Sequence, residues 1–389
     1  MAPDTYTRPS ISRTGARITG HGLLHLVTVV AALMAVAFAC GDSAEEAKRP
    51  EPLAPGDNLM VGAIHVGSIN DNGYNQAMHE GLLQMKSSIP NIEIIEAENV
   101  PETSDSEIVM EDMIDRGAKL IFPMSFGYLD HVLAVASKHP NVIFEHPAGG
   151  KLAPNVGTFW SDTTSMEYLM GIVAGKSTKT NKLGWVIGFP VPNILTSINA
   201  FQLGAQSVNP EVTTEVIVNN AWLDPAQEAA AINALADAGV DVVTMIVDSP
   251  TTVVSTAAHR GINSIGFHCI CVQNSAGQSW LTGIGFTWGD LFTQIARDVM
   301  AGTWESVNKV GAIDHGYAAI APYGPEVSDE TKTLVEQARA AIISGQLDPF
   351  AGPIFDNQGN VRVKDGEIGD PYELLVSTDY LVAGVSRIK

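Results

Sequence analysis

The residues best suited to chemistry are not gathered in one motif. They recur as short groups, each following an apolar run. Asn70, Asp71, Tyr74 and Asn75 follow "LMVGAIHV". Ser125, Phe126 and Tyr128 follow a later run, and Trp160, Ser161 and Asp162 another. Phe189, Pro190, Pro192 and Asn193 follow "LGWVIGF", Trp222 stands in "NNAWLDP", Asp248 and Ser249 end "VDVVTMIVDS", and Phe286 and Trp288 lie beyond "LTGIG". Aromatic residues make up only 7% of the chain, yet three of its six tryptophans fall in these groups. Flat rings with a few polar groups around them suit a planar small molecule, by stacking and oriented hydrogen bonds. The competing reading is that each tryptophan fills a core.

Asp248 is the carboxylate of most interest. It ends a wholly apolar run, where it can accept from a ring N–H or a ribose hydroxyl, or cap the helix that follows. Asp71 can touch a ligand or order its own turn by accepting backbone N–H groups. Signatures of catalysis are missing: there is no G-x-S-x-G, Walker loop or H-E-x-x-H. "GFPVPN" cannot cradle a phosphate, because proline lacks the backbone N–H donor. His65, His79, His146, His259, His268 and His315 show no metal-ligand spacing. "HCIC" is a weak metal signal. In a strand Cys269 and Cys271 would face the same side, where they make poor disulfide partners. They are expected to be buried, inert thiols. No metal and no cofactor is expected.

Something must hold these groups at one end of a framework. From residue 58 the chain alternates apolar runs with helical segments. Strands are expected at 59–66, 92–97, 119–124, 141–145, 155–160, 182–188, 213–218, 241–247, 263–268 and 281–287. Continuous apolar runs are the mark of strands covered on both faces. Helix starts are expected at "SDSE" (Ser104 to Glu107) and "TSME" (Thr164 to Glu167) as capping boxes. They are also expected at Asp224-Pro225, at Ser249-Pro250, and at Asp290. Regular alternation implies parallel sheets with right-handed crossovers. The fold class is therefore α/β, as two doubly wound lobes. The expected first lobe is 58–165 plus roughly 288–325, and the second is 166–287 plus roughly 326–389. In such sheets ligands bind beyond the carboxyl ends of the strands.

The chain has 389 residues, 45% hydrophobic and 17% charged, with a formal net charge of −21. That length suits about two domains. The acidity argues against nucleic acid, which needs clustered Lys and Arg. Arg8, Arg13 and Arg17 precede "LLHLVTVVAALMAVAFAC", the pattern of a secretory signal over 1–39. A retained membrane span is the alternative. "AFAC" is similar to a bacterial lipobox, which implies cleavage before Cys40 and lipid on its sulfur. Residues 40–57, polar and proline-rich, then read as a tether.

Taken in order, "GSINDNGYNQAMHEGL", "LIFPMSFGYLD", "NVGTFWSDTTSMEYLMGIVAG", "NKLGWVIGFPVPN", "NAFQLGAQSVNP", "WLDPAQEAAA" and "FAGPIFDNQGNV" resemble the basic membrane protein family. These are lipoprotein substrate-binding components of ABC importers, related to purine nucleoside receptors. The resemblance covers about residues 58–389. It implies a type I periplasmic-binding fold with three crossovers, a purine base or nucleoside in the cleft, and ABC permease and ATPase partners. It implies that Tyr74 is the stacking aromatic and Asn75 its polar partner. The nucleoside receptors carry an acidic residue after the ninth strand and a lysine near the tenth. This chain has "GFHCIC" and "GIGFTWGD" there, which implies a free base such as adenine, or another small planar heterocycle, at least as readily as a nucleoside. The alternatives are a sensory receptor of the same fold for a sugar-like ligand, partnered with a membrane kinase or chemoreceptor, and an exported hydrolase. The hydrolase would need an acidic cluster that is not visible.

Overall fold

The computed structural model describes residues 52–388, apart from positions 55 and 312. Cys40, the signal segment and most of the tether lie outside the described residues. The chain begins β1 (Leu59–His65), α1 (Tyr74–Ser88), β2 (Ile92–Ala97), α2 (Asp105–Asp115), β3 (Leu120–Met124), α3 (Leu129–Lys138), β4 (Ile143–Pro147) and β5 (Val156–Ser161). It then crosses through α4 (Thr164–Ser177) into β6 (Lys182–Ile187), α5 (Pro192–Val208), β7 (Thr213–Val218), α6 (Pro225–Asp237), β8 (Val242–Ile246), α7 (Pro250–Arg260) and β9 (Asn263–Gly266). A short α8 (Gln273–Ala276), β10 (Trp280–Phe286), α9 (Gly289–Ala301), β11 (Asn308–Gly311) and β12 (Ala318–Ile320) follow. The remainder is α10 (Asp329–Ile343), a hairpin of β13 (Ile354–Phe355) and β14 (Val361–Val363), α11 (Pro371–Ser377) and β15 (Val385–Arg387).

All ten expected strands form, with ends shifted by no more than two residues. One sheet runs β11-β5-β4-β3-β1-β2 and is wholly parallel. The other runs β12-β10-β9-β8-β6-β7-β15, parallel except where β12 pairs with β10. The segment 288–325 is thus shared: Asn308–Gly311 joins the first sheet and Ala318–Ile320 the second. The period of two is plain in β3. Leu120, Phe122 and Met124 face the large core, and Ile121 faces a smaller one with Ile64, Met113 and Phe144. Both faces being covered explains the continuous apolar runs.

Several helix starts differ from expectation. Asp224 does cap α6, accepting from Gln227 N–H at 3.0 Å. Neither capping box forms. Ser104 makes no capping bond, and Glu107 turns instead to His131, with Oε1 2.8 Å from Nδ1. Glu167 is buried, and one of its carboxyl oxygens has no partner. Burial holds that carboxyl well above the usual carboxylate range. Ser249 stands at an N-cap without a side-chain bond. Asp290 sits inside the first turn of α9 and accepts from Gln84 Nε2 at 2.7 Å. In each case a tertiary partner or burial overrides the local signal.

The cysteines also differ. Cys269 and Cys271 are joined by a disulfide across Ile270. The strand reading fails there because β9 ends at Gly266 and residues 270–272 form a tight helical turn. Coiling brings together side chains that an extended strand would hold apart. So small a loop constrains the unfolded chain little. The double change Cys269→Ser with Cys271→Ser is expected to cost no more than about 2 kcal/mol in a denaturant titration. Thiol labelling before reduction is expected to leave both positions of the wild-type protein unmodified.

Candidate functional site

The turn after β1 is built from its own side chains. Asp71 Oδ1 accepts from Gly73 N–H at 2.7 Å and Gln76 N–H at 3.0 Å. Its Oδ2 accepts from Asn75 N–H at 3.1 Å and Asn75 Nδ2 at 2.8 Å. Asn75 Oδ1 accepts from Gly67 N–H at 3.2 Å, and the residue is buried. Asp71 therefore does the work of a helix cap, and Asn75 is bound into the turn. Left-handed backbone occurs at Asn72 (φ 56°), not at Gly73. Gly73 is needed for space: a Cβ there would lie 2.9 Å from Pro250 Cδ and 3.3 Å from the carbonyl oxygen of Asp248. This close approach brings the turn after β1 against the turn after β8.

What the turn presents is Tyr74, the first residue of α1. Its ring is buried and meets His268 edge-on, with centroids 5.7 Å apart and planes at 79°. Its hydroxyl makes no hydrogen bond among the described residues, so it does not tie the loop down. Burial, then the charge of Asp248, holds that hydroxyl protonated far above the usual range. Asp248 is half-buried and its carboxylate accepts no hydrogen bond among the described residues; only its N–H is used, to Trp222 O at 2.7 Å. Desolvation, followed by the charges of Asp71, Glu228 and Glu102, pushes it up to about 7.

Other polar groups near the carboxyl ends of the second sheet are also unpaired. The Nδ2 of Asn219, after β7, is buried without a partner, as is the Oγ1 of Thr251 in the first turn of α7. His268, after β9, is 5% exposed with neither ring nitrogen bonded. Asn219, Thr251 and His268 were not singled out from sequence as ligand contacts. Their places after strands were readable, but their lack of partners was not. Phe189 and Trp222, both half-buried, pack edge-on at 5.0 Å over Gly188. Asn193 is half-buried in the first turn of α5.

The remaining expected ring residues behave differently. Trp288 is fully buried, with Phe286 stacked at 4.9 Å and Phe292 lying nearly parallel at 6.2 Å. These rings make it part of the large core cluster, and its indole Nε1 is buried without a partner. Trp160 contacts Phe286 at 5.7 Å and Trp288 at 6.5 Å. Tyr317 joins from the third connection, 6.2 Å from Trp288. The three crossovers between the sheets are thus packed together by aromatic rings. Phe126 is 67% exposed in a turn after β3 and joins none of these ring contacts.

Two cavities lie elsewhere. One of about 290 Å³ is lined by Asp241, Asn263 and Lys179, at the amino ends of the second sheet. The other, about 90 Å³, lies between Asp162, Thr196 and Phe350. Neither touches Tyr74, Asp248 or His268. The unpaired groups at the carboxyl ends carry more weight, because that is where doubly wound sheets bind ligands.

Residues 59–345 match the family described as ABC transporter substrate-binding protein, PnrA-like. The chain belongs to this family. It is 36% identical over 330 residues to a purine-binding protein of Brucella abortus, covering 85% of this chain and 93% of that one. It is 32% identical over 305 residues to a Haloferax volcanii protein named as a candidate ABC transporter glucose-binding protein, covering 78% and 77%. A solved solute-binding protein of an ABC transporter from Conexibacter woesei shares the fold at a TM-score of 0.62. That match has 21% identity and covers 75% of this chain and 98% of that one. The architecture is the type I periplasmic-binding fold. Proteins of this family bind substrates for transport and act outside the cytoplasm. No helix among the described residues is long and apolar enough to cross a membrane.

Proposed function

We propose that this protein captures a purine-like small molecule, a free base such as adenine or a nucleoside, between two lobes. It then delivers that ligand to the permease and ATPase of an ABC importer. Lipid on Cys40 would hold it to the outer face of the cell membrane. The first lobe comprises β1 to β5 with α9 and β11, and the second comprises α4 to β10 with β12 and the C-terminal elements.

The observation that carries the reading is the unpaired carboxylate of Asp248 beside Tyr74. A half-buried carboxylate with no donor is costly unless something supplies one. The N–H groups of a purine are such donors. Tyr74, Phe189 and Trp222 supply ring surface, and Asn219 and Asn193 supply further polar contacts. The name of the Brucella relative supports a purine, and that of the Haloferax relative favours a sugar as the second reading. Closure is a hinge motion at the three crossovers, driven by a ligand that touches both lobes.

The test is calorimetric titration with adenine, hypoxanthine, guanosine, inosine and glucose. Saturable binding of at least one purine, with glucose inert, is expected. Binding of glucose alone would replace the purine with a sugar, and no binding of any purine would sink the assignment.

A further inference from the structure

His268 combines three features that rarely coincide by chance. Its imidazole is 5% exposed, yet neither Nδ1 nor Nε2 has a hydrogen-bond partner. Buried polar atoms are almost always paired, so two orphans on one ring require an explanation. Its backbone is left-handed, with φ 71°, a conformation that costs free energy in a non-glycine residue and collects at binding sites. The ring also stands where both lobes meet. It faces Tyr74 from the first lobe at 5.7 Å, and Phe267 and Phe286 from the second at 4.6 and 5.8 Å.

The turn that follows is locked. The Cys269–Cys271 disulfide closes it, and Cys271 N–H donates to Cys269 Sγ at 3.2 Å. A side chain held in a fixed pose before ligand arrives loses little entropy on binding. Burial pushes the imidazole down to about 3, so it is neutral across the physiological range. A neutral imidazole carries one donor and one acceptor. The two ring nitrogens point in divergent directions, so one ligand edge meets one of them: a protonated nitrogen calls for an acceptor such as a purine ring nitrogen, and an unprotonated one for a donor such as an exocyclic amino group.

We propose that His268 is a specificity-determining ligand contact, whose imidazole hydrogen-bonds the nitrogen-bearing edge of the planar heterocycle held against Tyr74. This rests on the purine reading above. It makes the second lobe's choice of ligand depend on that hydrogen bond and not on ring area alone. A base lacking an exocyclic amino group has no such donor to offer an unprotonated imidazole nitrogen.

The experiment titrates wild type, His268→Phe and His268→Gln with adenine and with unsubstituted purine. Phenylalanine keeps the ring and removes both nitrogens, while glutamine keeps a donor and an acceptor. Nitrogen NMR of wild type labelled at histidine follows the imidazole directly and does not depend on a variant folding. Expected are a loss of at least tenfold for adenine in His268→Phe, partial recovery in His268→Gln, and reduced discrimination between the two bases in His268→Phe. The His268 nitrogen signals should move when adenine is added. Wild type that binds while His268→Phe matches it, with the nitrogen signals still, overturns the role of His268 alone. Wild type that binds no purine overturns the purine reading and this proposal with it.

Discussion

Replacing Trp288 with alanine is expected to cost about 3–5 kcal/mol of stability, the range for emptying a large aromatic site in a core. The indole is fully buried, with Phe286 stacked at 4.9 Å, Phe292 nearly parallel at 6.2 Å and Phe159 edge-on at 5.2 Å. The site cannot collapse easily, because Trp160 and Tyr317 reach it from the other two crossovers. The loss should appear as a lower midpoint in guanidinium. Trp288→Phe should lose much less and keep ligand affinity near wild type, since the indole is fully buried among other rings. A protein with alanine at 288 that unfolds at the wild-type midpoint yet binds no ligand would return Trp288 to the pocket wall.

Trp288 also marks where sequence stops being informative. Its place after the last of the ten expected strands was readable, and so was the chance that it stacks on a ligand. Which way the indole turns is set by three chain crossings that meet only in the fold. The ten main strands were legible because each is a continuous apolar run between turn signals. β11 and β15 were not. "NKVG" and "VSR" carry little apolar signal and exist as strands only because an edge is open beside β5 and β7. The same limit governs the caps. "SDSE" has the residues of a capping box, but His131 competes for Glu107. "DPAQ" met no competitor and formed its cap. At the site, Tyr74 and Asp248 were legible from their positions after strands. His268 was hidden because a left-handed residue beyond a shortened strand has no local signature outside glycine and asparagine.

Asp248 sets the second large effect. Its carboxyl is pushed up to about 7 by desolvation first and then by Asp71, Glu228 and Glu102. Asp71 comes from the turn after β1, Glu102 from the loop after β2, and Glu228 from α6, so carboxylates approach from both lobes. Glu228 is itself pushed up to about 7 by burial. A purine N–H bonds more strongly to the ionised form of Asp248 than to the neutral acid. Below about pH 7 that form becomes the minority, and making the stronger bond then releases a proton. Affinity should therefore fall by up to tenfold per unit as the pH drops below about 7, and level off above it. Calorimetry with adenine in two buffers of different ionisation enthalpy should detect proton release at pH 6 and little at pH 8.5. Asp248→Asn removes a hydrogen bond to a charged group, worth about 1.5–3 kcal/mol, so affinity at pH 8 should fall roughly 10–100-fold. The asparagine cannot titrate, so the variant's profile should lose most of its slope across the same range, keeping only what Glu228 contributes. His268 does not confuse the result, since burial keeps it neutral there. A wild-type profile that is already flat from pH 5.5 to 8.5, or a variant that retains the slope, would remove Asp248 from the contact.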